Sequence, residues 1–255
     1  MTQPIVLGSI AAALFVLAIV VVVFWWRSGY TFVQFVLDRI VFIILKLVWR
    51  AKTPAKLPLS RKRGAVIVAN HRSSVDPFFI HGAAKRRVRW LVAREYCERK
   101  VLGWFLEEFG AIPTRRGGID NASVRLAARY LEEGQWVGVL PEGKINTTDD
   151  FMLPVRAGAA LLARRAGVPI LPVYIEGAPY DGTPVGPFLM RANVKITVGQ
   201  PIDPQGFESD EAMILAATKE IARLAGQDDF EPQMAGRSRR ASAEPVSETT
   251  DSAEQ

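Results

Sequence analysis

The chain is poor in the side chains that bind metals and form disulfides. Its 255 residues include one cysteine, Cys97, and two histidines, His71 and His81. A single cysteine excludes an internal disulfide and a cluster of thiolate ligands, and two imidazoles give little basis for a zinc site. We therefore expect no metal and no cofactor, and we expect the chemistry to come from carboxylates, hydroxyls, basic groups and one histidine.

Charged side chains are absent from the first part of the chain. The first one is Arg27, and Ile5 to Trp26 form a run of 22 residues without a charge. At about 1.5 Å per residue, a helix of this run reaches roughly 33 Å, which matches the hydrocarbon thickness of a bilayer. A cleaved signal peptide is the alternative, but the run lacks a basic start and an obvious small-residue cleavage site. We predict a transmembrane anchor in residues 1–28.

Residues 29–52 are also apolar, but they carry a single polar stripe. Gln34, Asp38, Arg39 and Lys46 fall within about 140° of one another when projected at 100° per residue. A second transmembrane span would bury two of these charges near the middle of the bilayer, at a cost of a few kcal/mol each. A helix that lies at the membrane interface, or packs under the domain, avoids this cost, and we favour it.

Basic residues accumulate after this helix. They are Arg50, Lys52, Lys56, Arg61, Lys62 and Arg63. By the positive-inside rule, such a cluster keeps the segment after an anchor on the cytoplasmic side. The sequence therefore predicts a single-pass protein of the cell (inner) membrane whose main domain is cytoplasmic.

Short apolar runs alternate with helical segments in residues 53–227. The runs that predict buried strands are 65–69, 88–92, 136–140, 169–175 and 194–198, and the predicted helices are 95–108, 120–133, 156–166 and 209–225. This alternation favours an α/β fold, in which a mostly parallel or mixed sheet is flanked by helices in a single domain. Residues 228–255 are polar with few apolar anchors, and we predict a disordered tail there.

The charge balance favours anionic partners. The chain has 32 basic and 26 acidic residues, a net charge of +6, which suits phosphorylated small molecules, an anionic membrane or nucleic acid. The basic run KRRVR, residues 85–89, is compatible with the phosphates of coenzyme A, an acidic carrier protein, a membrane or a solvated face. Because the basic residues are scattered among strands and no aromatic stacking platform is evident, we expect no nucleic-acid partner.

The stretch GVLPEGKINTT, residues 138–148, fits two kinds of phosphate site. Its glycines and lysine match the G-x-x-x-x-G-K skeleton of a nucleotide-binding loop. That loop needs a hydroxyl after the lysine, where this chain has Ile145, and it needs free backbone N–H groups. Pro141 removes one N–H group and Glu142 adds a negative charge. We therefore interpret the stretch as a Pro-Glu-Gly turn of another kind of enzyme.

The stretch NHRSSVDP, residues 70–77, directly follows the first predicted strand. Catalytic groups and ligands gather at the carboxyl ends of strands in α/β sheets. His71 lies in the turn before the predicted helix, so Asp76 can fold back onto the imidazole. A carboxylate hydrogen-bonded to Nδ1 leaves Nε2 free to take a proton from a substrate hydroxyl. The alternative is a loop histidine next to an early-helix carboxylate that the helix dipole favours.

Four blocks, in order, resemble the signatures of the glycerolipid acyltransferases, the group that contains 1-acylglycerol-3-phosphate acyltransferase. NHRSSVDP resembles the first block through its His-x-x-x-x-Asp pattern, GAIPTRR (110–116) the second, LPEGKIN (140–146) the third and VPILPV (168–173) the fourth. The third block departs from the usual pattern, because Lys144 and Ile145 stand where threonine and arginine are usual. A lysine is a point charge where an arginine makes a bidentate fork.

The resemblance implies an enzyme of phospholipid biosynthesis. It would move a fatty acyl group from acyl-CoA or acyl carrier protein to the hydroxyl of a lysophospholipid, such as lysophosphatidic acid. Its partners would be membrane lipid, the lysophospholipid acceptor and the acyl thioester donor. The competing class is a membrane-tethered protein that binds lipid or an anion without turnover.

The resemblance also assigns site residues. It implies that His71 and Asp76 are the catalytic pair, with the imidazole as general base. It implies a phosphate-binding role for Arg116. The remaining substrate-binding positions fall on Glu142, Gly143 and Lys144, where the lysine would supply the cationic function one residue early.

Overall fold

A six-stranded sheet lies at the centre of the computed structural model, which describes residues 3–115 and 121–236. The strands are β1 (Ala65–Ala69), β2 (Val88–Ala93), β3 (Ile112–Thr114), β4 (Trp136–Val139), β5 (Ile170–Glu176) and β6 (Lys195–Val198). Their spatial order is β3-β2-β4-β1-β5-β6. The first five strands run parallel and β6 is antiparallel to β5. The predicted α/β class with a mixed sheet is confirmed.

Helices cover both faces of the sheet. In the described residues they are α1 (Gln3–Ser28), α2 (Phe32–Leu47), α3 (Asp76–Ala84), α4 (Arg94–Cys97), α5 (Lys100–Glu108), α6 (Asn121–Glu132), α7 (Gly158–Ala166) and α8 (Asp210–Leu224), with short 3-10 helices at Gly186–Leu189 and Pro204–Gly206. Side chains alternate between the two faces along a strand. Ala65 and Ile67 of β1 therefore pack with α2 and α3, whereas Val66 and Val68 pack with α6, α7 and α8.

The second helix, α2, is docked on α3. Thr31 and Gln34 form a capping box at its start, with hydrogen bonds of 3.2 and 3.3 Å. A Cβ atom at Gly82 of α3 would lie 2.6 Å from Cδ1 of Leu45, so the close approach of the two helices requires glycine at that position. One face of α2 is thus part of the core, and its opposite face carries exposed apolar side chains.

The two N-terminal helices meet at a sharp bend. Within the described part of the chain, no helix taken by itself has both the length and the apolar character of a bilayer span. Residues Ala12–Ser28 of α1 and Phe32–Leu47 of α2 reach these limits only as a pair, bent by 103° at the break between them. The transmembrane anchor of residues 1–28 is therefore not confirmed and stays a prediction.

Two local features differ from the sequence-based expectation. Strand β3 has three residues, too few for a periodicity to be recognised, and it was not predicted. The helix predicted at 95–108 is divided into α4 and α5, because Arg99 between them has an extended backbone with φ −77° and ψ 129°.

Part of the predicted tail lies against the domain. The N–H of Val155 donates to the carbonyl of Gln233, and the N–H of Ala235 donates to the carbonyl of Val155, both at 2.8 Å. The ring of Phe230 packs on that of Phe151, with centroids 5.1 Å apart. Ordered contacts therefore extend beyond residue 228, and the rest of the tail, residues 237–255, lies outside the described residues.

Candidate active site

His71 and Asp76 form a hydrogen-bonded pair at the carboxyl end of β1. The Nδ1 atom of His71 lies 3.0 Å from Oδ2 of Asp76. Asp76 is fully buried, and the same Oδ2 accepts the backbone N–H groups of Arg72 and Ser73, each at 2.8 Å. A carboxylate that accepts from Nδ1 fixes the imidazole tautomer and leaves the lone pair on Nε2. In this tautomer, Nε2 is the ring nitrogen that can accept a proton.

The turn between β1 and α3 is held at both of its ends. Asp76 is the first residue of α3, and Pro77 follows it in the first turn, where a missing N–H group costs nothing. At the other end, the side-chain amide of Asn70 exchanges two hydrogen bonds with the backbone of Ile175 on β5, at 2.9 and 2.8 Å. His71 therefore has a fixed place at the edge of the sheet.

Glu142 is bound to the backbone of the same turn. Its Oε1 accepts the N–H of His71 at 2.7 Å, and its Oε2 accepts the N–H of Leu153 at 2.8 Å. Glu142 is 5% exposed. Burial raises the pKa of Glu142 above the ordinary carboxyl value, although the two N–H groups act in the opposite direction. Each oxygen of this carboxylate contacts protein backbone.

The loop after the Pro-Glu-Gly turn is tied to the His71 turn as well. The guanidinium of Arg72 donates to the carbonyl of Thr148 at 2.7 Å. The N–H of Asn146 donates to the carbonyl of His71, also at 2.7 Å. Two chain segments that are far apart in sequence are thus joined into one unit around the imidazole.

Gly143 and Lys144 lie at the mouth of a cavity beside His71. Gly143 has φ +72°, a left-handed conformation that favours glycine, and its N–H closes the turn on the carbonyl of Leu140 at 3.1 Å. The side chain of Lys144 is exposed. Gly143, Lys144 and His71 all line the same cavity.

Arg156 is a cation of this region that the sequence pattern does not single out. Its backbone N–H donates to the carbonyl of Pro141 at 3.0 Å, and its side chain is exposed. A Cβ atom built on Gly143 would lie 3.4 Å from Nε of Arg156, which places the guanidinium beside the Pro-Glu-Gly turn. The isoleucine at position 145 signals that another residue could supply the cation, but the sequence does not say which one.

Arg116 lies outside the described residues, so its predicted phosphate contact stays a prediction. The preceding strand, β3, ends at Thr114 and runs parallel to β2. Because β2 and β1 are both parallel to β4, β3 ends at the same edge of the sheet that carries His71. The second block therefore leaves the sheet on the side of the His71 pair.

An apolar cavity of about 360 Å³ opens beside His71. Its walls come from α3, β2, α5 and the segment around the 3-10 helix at Gly186–Leu189, and they include Phe78, Leu102, Phe105, Leu106 and Phe188. The Phe78 ring lies 5.7 Å from that of Phe105 and 5.2 Å from that of Phe188, centroid to centroid. A cavity with this lining suits a hydrocarbon chain.

A second histidine also lines this cavity, farther along α3. The Nε2 atom of His81 lies 2.7 Å from Oδ1 of Asp38 on α2, and both residues are buried. At about 1.5 Å per residue, His81 lies roughly 7.5 Å beyond Asp76 along the helix. The described residues contain no group of three or more His, Cys, Asp or Glu side chains that could hold a metal. We assign the pair to the contact between α2 and α3.

The basic run at 85–89 makes contacts within the domain. The guanidinium carbon of Arg86 lies 4.6 Å from the ring centroid of Trp136, that of Arg87 lies 4.9 Å from Tyr30, and that of Arg89 lies 3.9 Å from Tyr130. Cations over aromatic faces are attracted by the ring quadrupole. These three arginines therefore stabilise the packing of neighbouring elements.

Known proteins share the region that contains this site. The family model described as acyltransferase matches residues 51–176, which include the His71 pair and the Pro-Glu-Gly turn. A 1-acyl-sn-glycerol-3-phosphate acyltransferase of Bacillus subtilis (strain 168) is 28% identical over 167 residues, 65% of this chain and 80% of that protein. An N-acylphosphatidylethanolamine synthase of Arabidopsis thaliana is 32% identical over 178 residues, 61% of this chain and 62% of that protein.

A solved structure has the same fold. The crystal structure of the 1-acyl-sn-glycerophosphate (LPA) acyltransferase PlsC of Thermotoga maritima superposes with a TM-score of 0.63. The two chains are 20% identical, and the match covers 82% of this chain and 88% of the other. At this identity the likeness concerns the fold alone.

Proposed function

The chain belongs to the acyltransferase family, of the 1-acylglycerol-3-phosphate acyltransferase-like type, and we propose that it acylates the hydroxyl of a lysophospholipid. The donor is a fatty acyl thioester, either acyl-CoA or acyl-acyl carrier protein. The product is a diacyl phospholipid precursor, and the expected acceptor is similar to lysophosphatidic acid. The observation that carries this proposal is the 3.0 Å contact between His71 and Asp76 at the mouth of an apolar cavity.

In the proposed reaction, His71 acts as general base. Its Nε2 takes the proton of the acceptor hydroxyl while the hydroxyl oxygen attacks the thioester carbonyl carbon. The C–S bond then breaks, and the proton on Nε2 passes to the departing thiolate. One ester and one free thiol are formed, and no covalent acyl-enzyme is required. Asp76 orients the imidazole and stabilises its positive charge during the step.

Glu142 serves this reaction through His71. Because its two oxygens accept the N–H groups of His71 and Leu153, it has the contacts of a positioning residue. The substrate-binding role that the family resemblance implies for Glu142 stays a prediction, and our proposal gives the carboxylate the role of holding the backbone that carries the imidazole.

The acceptor phosphate is proposed to lie at the Pro-Glu-Gly turn. Lys144 is exposed at the cavity mouth beside His71, and Arg156 lies next to Gly143. Arginine offers a planar fork that matches phosphate geometry, which lysine does not. Arg156 thus supplies the fork that Ile145 cannot, and Arg116 is proposed as a further phosphate contact.

The fatty acyl chain of the donor is proposed to occupy the apolar cavity. The aromatic and aliphatic walls favour a hydrocarbon chain, and removing it from water contributes about 0.8 kcal/mol per methylene. This arrangement would place the thioester carbonyl at the cavity mouth, within reach of a hydroxyl activated by His71.

Attachment to the cell (inner) membrane is also proposed. Support comes from the exposed apolar side chains along α1, which include Leu14, Phe15, Leu17, Ile19 and Phe24. In this arrangement α1 is the anchor, α2 lies at the interface, and the basic residues that follow keep the α/β domain cytoplasmic. Lipid substrates and products would then be available in the same bilayer.

An acyl-transfer assay tests the proposed function. Purified full-length protein, in vesicles, is incubated with labelled lysophosphatidic acid and either acyl-CoA or acyl-acyl carrier protein. We expect ester formation by the wild type and a loss of about 100-fold or more in His71→Ala, since general-base catalysis contributes roughly that factor. Wild-type activity in a folded His71→Ala variant would rule out His71 as the general base. Absence of acyl transfer by the wild-type protein with every donor would favour a protein that binds lipid without turnover.

A further inference from the structure

Five large apolar side chains are exposed around the walls of the cavity. They are Leu47 of α2, Val101 and Trp104 of α5, and Val185 and Leu189 at the 3-10 helix, with exposed fractions of 73, 79, 48, 59 and 86%. We call this set the apolar rim. Val101, Trp104, Val185 and Leu189 are each next in the chain to a residue that lines the cavity. Leu47 lies two residues before Trp49, whose ring packs on that of the cavity residue Phe188. Groups of exposed apolar side chains mark contact surfaces for proteins or membranes.

Buried aromatic contacts join the three elements of the apolar rim. The ring centroids of Trp49 and Phe188 lie 5.7 Å apart, and those of Phe188 and Phe105 lie 6.1 Å apart. Nε1 of Trp49 donates to the carbonyl of Pro187 at 2.9 Å. The rim residues are therefore held by one rigid support, although they come from distant parts of the sequence.

Basic side chains flank the rim on the α2 side. Lys46 and Arg50 are exposed on either side of Leu47, and Arg191 is exposed after Leu189. The N–H of Ala192 donates to the carbonyl of Val48 at 3.1 Å, which brings the two segments together. Apolar side chains bordered by cations are suited to a bilayer that carries anionic headgroups.

We propose that the apolar rim is a membrane-contact surface of the α/β domain itself, and that it seats the cavity mouth at the boundary between headgroups and hydrocarbon of an anionic bilayer. This inference rests on the proposed membrane attachment and adds a second contact to that of α1. A lipid chain could then pass between bilayer and cavity without crossing water. A second copy of the chain fits less well, since a symmetric contact would bring the same cations together.

Fluorescent labels test the location of the rim. In a Cys97→Ser background of the full-length protein, an environment-sensitive fluorophore is attached to Val101→Cys, Leu189→Cys or the control Glu211→Cys. Glu211 is exposed on α8, which packs on the opposite face of the sheet. Each labelled protein is bound to phosphatidylcholine vesicles, with or without phosphatidylglycerol, that carry lipids with a quencher in the acyl chain.

The proposal predicts a blue shift and quenching at positions 101 and 189, stronger with phosphatidylglycerol, and neither change at position 211. Rim labels that stay in water on vesicle-bound protein would overturn it, while leaving acyl transfer and the attachment by α1 untouched. A shift that depends on protein concentration without vesicles would overturn it in favour of self-association. Because the readout is fluorescence, failure of the acyl-transfer proposal would be seen separately.

A variant with two added charges in the apolar rim tests the same proposal through enzymatic activity. Val101→Glu with Leu189→Glu changes two exposed side chains outside the cavity lining, so the fold should be retained, as a thermal unfolding curve would show. We expect activity on a lysolipid embedded in vesicles to fall about tenfold, a factor that corresponds to roughly 1.4 kcal/mol, because two charged side chains would oppose insertion of the rim into the edge of the hydrocarbon. Activity on a short-chain, water-soluble lysolipid should be unchanged. Equal loss with both acceptors, or no loss with either, would contradict the proposal.

Discussion

The carboxylate of Glu142 accepts the backbone N–H of His71 at 2.7 Å, so the Pro-Glu-Gly turn supports the turn that carries the imidazole. The same carboxylate holds Leu153 on the other side of the loop. The third sequence block thereby acts on the first one through a buried hydrogen bond, at a distance of 71 positions along the chain. This contact gives a reason for the glutamate that does not involve the substrate.

The variant Glu142→Gln should show whether Glu142 positions His71 or binds the acceptor. An amide keeps one acceptor but presents an NH₂ group to the second backbone N–H, and an unsatisfied buried donor costs about 1–3 kcal/mol. We expect kcat to fall roughly 5- to 100-fold while KM for the acceptor stays near the wild-type value, as measured by steady-state kinetics with varied lysophosphatidic acid. A raised KM with unchanged kcat would instead assign Glu142 to the acceptor.

The raised pKa of Glu142 predicts how stability depends on pH. Because burial penalises the charge, the protonated form of Glu142 is more favourable in the folded protein than in the unfolded chain. The contribution of Glu142 to the free energy of unfolding is therefore fully present below the pKa of the unfolded state, about 4.3, and it is lost as the pH rises through the pKa of the folded state. We expect the unfolding temperature of the wild type, relative to Glu142→Gln, to decrease from acidic toward neutral pH. A flat or rising difference for Glu142→Gln would contradict this assignment.

The sequence predicts local features of the site better than distant ones. His71 and Asp76 are five positions apart and flank one turn, so their contact follows from a strand end and a helix start. The bond between Glu142 and His71 depends on β1 lying beside β4, and the sequence pattern does not order the strands. β1 was recognised because a central parallel strand is a continuous apolar run, whereas the three residues of β3 are too short to show a pattern.

Arg156 was missed for a similar reason. It lies in no recognised block, and its position beside Gly143 arises from the folding back of the loop that follows the Pro-Glu-Gly turn, with its N–H on the carbonyl of Pro141. Basic residues are common in loops that precede a helix, so the sequence alone does not mark Arg156 as an anion contact. Only the close approach to the turn suggests an anion contact.

Arg156→Ala should weaken binding of a phosphorylated acceptor. The guanidinium is exposed, so we expect a charge contact of about 0.7–1.4 kcal/mol, which raises KM for lysophosphatidic acid roughly 3- to 10-fold with little change in kcat. Arg156→Lys should recover part of the loss, because it keeps the charge but not the fork. The matched control is Arg165→Ala, an exposed arginine at the far end of α7. An equal effect of both alanine variants would indicate general charge attraction and would argue against a specific contact.

Leu106 offers a test of the cavity as the acyl-chain site, because it lines the cavity from α5 and can be changed in both directions. Leu106→Trp fills space and should shift the preference toward shorter acyl donors, while Leu106→Ala creates space and should shift it toward longer ones. Each methylene excluded from the cavity forfeits about 0.8 kcal/mol, or roughly fourfold in relative kcat/KM. Competition between donors of different chain length in one reaction measures this ratio, and it cancels any loss of active protein that the substitution causes. If the two variants shift the ratio in the same direction, or leave it unchanged while activity persists, the acyl chain lies elsewhere and the cavity serves the acceptor or another purpose.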